Sequence, residues 1–170
     1  MPKKEQVNER TIREKYHRLT TALIEKDLMI TTMESCTSGL IASLITDTEG
    51  ASSIMKGACI TYSNEAKVQA GVPAEIIAQY GVYSEETARA MAKAASDRFR
   101  ADLAIGVTGS FQNADPANQD SIPGEIYYAI SFRNELTSFH CRIPAFPARA
   151  ESKLYVAGLI ADALLEVLQV

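Results

Sequence analysis

Two short segments hold residue types that can perform acyl-transfer chemistry together. Glu34-Ser35-Cys36-Thr37-Ser38-Gly39 offers a hydroxyl beside a thiol, and Tyr62-Ser63-Asn64-Glu65-Ala66-Lys67 offers a phenol and an amine. A serine hydroxyl is a weak nucleophile until a base takes its proton. The chain has two histidines, His17 and His140, and neither lies in a Ser-His-Asp context. Lys67 is therefore the better base, as in Ser-Lys hydrolases. The role requires a neutral amine, hence a pKa lowered by burial or a nearby cation. Tyr62 is placed to relay a proton or to orient Lys67. Cys36 ranks below Ser35 as nucleophile, because a cysteine at this kind of turn is commonly a buried structural residue.

The elements around these residues decide whether they can meet. Leu28-Met29-Ile30-Thr31-Thr32-Met33 reads as a strand, and Leu40, Ile41 and Leu44 mark one face of a helix ending near Thr46. Ser35 is thus predicted at a strand-to-helix turn. Backbone N–H groups near Cys36 and Thr37, at the positive end of that helix, would hold an oxyanion. A second strand is predicted over residues 57–62, followed by a short helix capped by Ser63 or Asn64 and carrying Lys67. The blander alternatives are concrete. Ser35 by default is a helix cap, Lys67 a solvated lysine and Tyr62 a packing residue at a strand end. Glu34 by default is a partner for a buried backbone group or for Lys67.

The remaining pattern alternates helix and strand. Ile12, Tyr16, Leu19 and Leu23 share a helix face. Val72-Pro73 opens a short helix that Gly81 ends. Ser84-Glu85-Glu86 starts a helix burying Ala88, Met91, Ala92, Ala95 and Phe99. Residues 102–108 read as a buried strand. Residues 126–132 and 136–141 read as a hairpin around Arg133-Asn134-Glu135, and a last helix carries Leu154, Ala157, Ala161, Leu164, Leu165 and Leu168. Between them, residues 109–123 form a loop rich in Asn, Asp, Gln, Pro and Ser, of a length usually reserved for function or mobility. The expected fold is α/β, a three-layer α/β/α sandwich with a mixed sheet. The expected organisation is a polar tail over residues 1–10 and a single domain over 11–170.

Composition narrows the function. The 170 residues carry a formal charge of -4 and no basic block, which argues against a nucleic-acid partner. Cys36, Cys59 and Cys141 are too few and too scattered for a disulfide framework or a zinc site. No apolar run is long enough for a bilayer, and residues 1–10 lack the apolar core of a signal peptide. The reading is a cytoplasmic protein with no membrane partner.

The two motifs, with Val107-Thr108-Gly109 and Pro123-Gly124, resemble the CinA C-terminal domain family from about Thr11 to the end. That family typically shows Glu-Ser-Cys-Thr-Gly-Gly and Tyr-Ser-Asn-x-x-Lys. Its characterised members are nicotinamide-nucleotide amidases. The resemblance implies hydrolysis of the carboxamide of nicotinamide mononucleotide to nicotinate mononucleotide and ammonia, feeding pyridine-nucleotide salvage, with no metal and no cofactor. It implies Ser35, Lys67 and Tyr62 as catalytic residues and Cys36, Thr37, Thr108, Gly109 and Arg149 as substrate-binding ones. Thr108 would hold the carboxamide or the ribose phosphate, and Arg149 the phosphate. Many relatives carry an additional N-terminal domain, so the chain reads as a stand-alone version, with a homodimer allowed by its apolar faces.

The departures from the family pattern fall on the binding side. The glycine-rich stretch expected after Thr108-Gly109 is replaced by Ser110-Phe111-Gln112-Asn113-Ala114-Asp115-Pro116. Asp115 and Asp120 bring negative charge that opposes a mononucleotide. Ser38 stands for a glycine, and Pro147-Ala148 precede Arg149 where Gly-Asp is usual. The alternative function is therefore a non-catalytic or substrate-shifted paralogue that binds another ligand or a partner protein.

Overall fold

The computed structural model describes residues 7–170. Residues 1–6 of the expected tail lie outside the described residues. The Asn8 side chain accepts the Thr11 N–H at 3.1 Å, so the first helix, α1, starts at Glu9 and takes in residues expected to belong to the tail. It runs Glu9–Lys26. It is followed by β1 (Ile30–Glu34), α2 (Leu40–Thr46), a single 3-10 turn at Ala51–Ser53 and β2 (Cys59–Ile60). Next come α3 (Asn64–Gln69), α4 (Ala74–Tyr80), α5 (Glu85–Phe99) and β3 (Leu103–Gly109). A hairpin of β4 (Glu125–Phe132) and β5 (Glu135–Arg142) precedes α6 (Arg149–Leu168).

The sheet order is β2-β1-β3-β4-β5. β2, β1 and β3 run parallel, and β3, β4 and β5 antiparallel, which is the mixed sheet expected. Strand alternation divides the core between two faces. Ile30, Leu103, Ile105 and Val107 pack with Leu19, Leu23, Ile41 and Leu164 of α1, α2 and α6. Met33 and Ala104 point the other way, toward Met91 and Ala95 of α5. The chain is thus a three-layer α/β/α sandwich.

Two local details follow from sequence. Arg133 and Asn134 both have left-handed backbone, φ 50° and 70°, the two-residue turn that matches strand twist in a hairpin. Gly106 lies where α5 crosses β3. A Cβ built there would come 2.2 Å from the Ala88 carbonyl oxygen and 2.5 Å from the Ala92 nitrogen. Those contacts are backbone, so the helix itself would have to move. Gly106→Ala is expected to lower stability by about 1–3 kcal/mol, read as a lower denaturant midpoint at unchanged slope.

One element is shorter than its sequence predicted. The strand expected over 57–62 pairs only through Met33 with Cys59 and Glu34 with Ile60. It is an outer strand, and Ile60 and Tyr62 are 59% and 61% exposed. Of the β-branched and aromatic residues that suggested a longer strand, Ile60 and Tyr62 face solvent and Thr61 is buried. Phe99 also departs from expectation. It is half-buried and covers Gly57 at the helix end rather than the central core.

Candidate functional site

Ser35 follows the last residue of β1. Its N–H continues the parallel ladder to the Val107 carbonyl at 3.1 Å, which places it at the carboxyl ends of the parallel strands. Open α/β sheets bind ligands at that edge. Beside it, the Thr61 N–H donates to the Glu34 carbonyl at 2.8 Å, and the chain turns into α3 with the Ser63 hydroxyl accepting the Ala66 N–H at 3.1 Å. One turn of helix later, Lys67 points back inward. Its Nζ donates to Ser35 Oγ at 3.1 Å and to the Thr61 carbonyl at 2.8 Å.

This amine is 2% exposed and makes no ion pair among the described residues. Burial pulls its pKa down from 10.5 to about 8, against a weaker upward pull from Cys36 and Asp115. The Cys36 thiol moves the other way. Burial first, and then the Glu34 carboxylate, push it up to about 12. A thiol held protonated is a poor nucleophile, which separates Cys36 from Ser35 chemically although both touch the same cavity.

That cavity has a volume of about 390 Å³. Of the expected residues, Ser35, Cys36, Tyr62, Gly109 and Arg149 line it. The structure joins Tyr62 to a different partner from the one expected. Its hydroxyl accepts a hydrogen bond from Arg149 at 2.8 Å, and it stands exposed at the rim, without a hydrogen bond to Lys67. The Arg149 guanidinium also lies over the Phe111 ring, 4.9 Å from its centroid. As the first residue of α6, Arg149 is brought to the rim by the same helix whose apolar face fills the core.

Two expected binding residues face away. The Thr37 hydroxyl donates to Glu34 at 2.7 Å and that of Thr108 to the Val82 carbonyl at 3.0 Å. Both are fully buried and neither is on the cavity wall. A hydroxyl in the core needs a partner, and here the nearest partners belong to the fold. At the start of α2, Glu34 is a partner for backbone groups, the default role the sequence gave it. The free N–H groups at Gly39, Ile41 and Ala42 donate to the Glu34 carboxylate at 2.9, 3.2 and 2.9 Å. Glu34 thus takes the N–H groups of the helix start itself, not those of Cys36 and Thr37 that sequence had assigned to a substrate oxyanion. Of the turn's N–H groups, those of Cys36 and Thr37 have neither a carboxylate nor a carbonyl partner among the described residues. Ser38, which stands for a family glycine, does occupy left-handed backbone at φ 52°.

The loop after Gly109 brings one of the two acids expected on the binding side into the site and leaves the other out. The Asp115 carboxylate lines the cavity. It accepts the Tyr83 hydroxyl at 2.7 Å, the Asn118 amide at 2.6 Å and the Ala117 N–H at 2.9 Å. Asn118 in turn accepts from Asn64 at 2.8 Å, tying the loop to the first residue of α3. These donors, Asn118 foremost and then Tyr83, hold the Asp115 carboxyl below its usual range. The expected second acid, Asp120, is not on the wall and lies against Gly81. A Pro-, Asn- and Asp-rich loop signalled function in general, but its lack of periodicity concealed which side chain turned inward.

A three-layer α/β sandwich with a serine–lysine pair at the carboxyl edge of its sheet defines the class. The profile of the CinA C-terminal domain matches residues 12–167, and the chain belongs to that family. A "CinA-like protein" of Leptospira borgpetersenii is 37% identical over 133 residues, 78% of this chain and 32% of the relative. Another from Geobacter sulfurreducens is 42% identical over 110 residues, 64% of this chain and 26% of the relative. The chain thus spans between a quarter and a third of the length of these relatives. Among solved structures, the competence/damage inducible protein CihA from Agrobacterium tumefaciens superposes with a TM-score of 0.82 at 31% identity, covering 94% of this chain and 96% of that one. A CinA superfamily protein from Klebsiella pneumoniae gives 0.82 at 26% identity, covering 93% and 98%.

Proposed function

We propose that this chain is an amidohydrolase that cleaves a pyridine carboxamide, with nicotinamide mononucleotide as the substrate the family resemblance implies. The observation that carries the reading is the 3.1 Å contact between a buried lysine of lowered pKa and a cavity-lining serine. Neutral Lys67 accepts the Ser35 proton as Oγ attacks the carboxamide carbon. The Cys36 and Thr37 N–H groups are the donors left for the oxyanion, since Glu34 has taken those of α2. Collapse breaks the C–N bond, and Lys67 returns its proton to the departing ammonia. Water then attacks the acyl-serine ester with Lys67 again as base, releasing the carboxylate and restoring Ser35. Arg149, the basic side chain on the cavity wall, binds the phosphate.

Ammonia release from nicotinamide mononucleotide, measured beside Ser35→Ala, tests this reading. Release unaffected by that substitution would refute it. The pH dependence has a definite sign. Only the unprotonated amine works as base, so kcat/KM rises with pH through an apparent pKa near 8. Between pH 7 and pH 9 the rise is roughly tenfold. A profile flat over that interval would remove Lys67 from the base role.

A further inference from the structure

The cavity wall carries two acids, Glu65 and Asp115, and one base, Arg149, and none of the three forms an ion pair among the described residues. Of the two acids, Asp115 is the one fixed by hydrogen bonds. Its three hydrogen-bond donors are a phenol, an amide side chain and a backbone N–H. These fix the carboxylate in place and leave its charge intact. Arg149 forms no ion pair either, being held by the Tyr62 hydroxyl and the Phe111 ring. Asp115 is close enough to Lys67 to act on its charge, and Arg149 to act on Cys36. Asp115 and Arg149 therefore bear on the space beside Ser35, whereas no such interaction ties Glu65 to it.

Unpaired charges fixed on the wall of a cavity select ligands of complementary charge. An anionic ligand alone would be drawn by Arg149 and opposed by Asp115. A ligand bearing a cation and an anion satisfies both. We infer that Asp115 is a specificity-determining residue that recognises positive charge on the ring bearing the scissile carboxamide, while Arg149 takes the anionic end. The inference rests on the reading of the Ser35 cavity as a carboxamide site. It also gives the rewritten loop a function: the acid that opposes a phosphate favours a pyridinium.

A matched pair of ligands isolates the effect. Nicotinamide mononucleotide has a cationic ring, and its 1,4-dihydro form has a neutral ring with the same carboxamide, ribose and phosphate. Binding of each is measured by calorimetry to the Ser35→Ala protein, so that turnover plays no part. The cationic form is expected to bind at least tenfold more tightly, and Asp115→Asn in that background is expected to abolish the preference. Tyr83→Phe removes one hydrogen bond to the loop but keeps the carboxylate, and should retain the preference. Equal affinities, or a preference that survives Asp115→Asn, would overturn the inference. So would a preference lost equally in Tyr83→Phe, which would make loop position the cause. Failure to bind either form overturns it as well. The amidase reading stands or falls separately, on ammonia release by the unmodified chain.

Discussion

Ser35→Ala and Lys67→Met are each expected to lower kcat for ammonia release by about a thousandfold or more. The two residues act on one proton, so the double variant should be little worse than either single one. The stability of the lysine variant separates chemistry from damage. The Lys67 amine is buried and titrates near 8 in the fold against 10.5 as its ordinary value. The unfolded chain therefore holds that proton more tightly. The resulting penalty is complete below about pH 8, is relieved as pH rises through the folded pKa, and has gone near 10.5. At neutral pH, methionine removes the penalty while forfeiting two hydrogen bonds, a net gain of roughly 1–3 kcal/mol. An inactive variant with a raised denaturant midpoint is the expected signature. A lowered midpoint would mean that the amine stabilises the fold and would contradict the burial argument.

Sequence made the scaffold legible wherever periodicity was strong. The faces of α1, α5 and α6, the hairpin turn at Arg133-Asn134 and the caps at Ser63 and Ser84 follow local chemistry, and the structure contains them. Ser35 and Lys67 were legible as residue types in motifs, and β2 leading into α3 brings them together. What escaped was direction. Nothing in the spacing told that Thr37 and Thr108 would turn into the core to partners supplied by the fold. The link between Tyr62 and Arg149 spans 87 positions and depends on where α6 begins. Asp115 belongs to a loop whose shape is set by hydrogen bonds to Tyr83, Asn118 and Ser121, not by any repeat. Side-chain direction in such a loop is a tertiary property.

Glu34→Ala is expected to cost about 3–5 kcal/mol of stability, the penalty for leaving several buried donors without an acceptor. The carboxylate is fully buried and is balanced by donors instead of a cation. It accepts the hydroxyls of Thr32 at 3.0 Å and Thr37 at 2.7 Å, together with the N–H groups of Gly39, Ile41 and Ala42. Alternation along β1 puts Glu34 on the same face as Ile30, directly beneath α2, where the N–H groups of a helix start need an acceptor. Alanine would strand all five donors in a site closed to water. Glutamine fills the same volume but turns an NH2 toward donors, so Glu34→Gln should fall between alanine and the native residue. Denaturant unfolding followed by circular dichroism decides this, and midpoints within error of the native chain would overturn it. Loss of activity in these variants should track loss of structure, because Glu34 holds the turn on which Ser35 sits. Ser35→Ala, which removes one hydroxyl from the cavity wall, should leave the midpoint nearly where it was. That contrast is what distinguishes the residue that builds the turn from the residue that uses it.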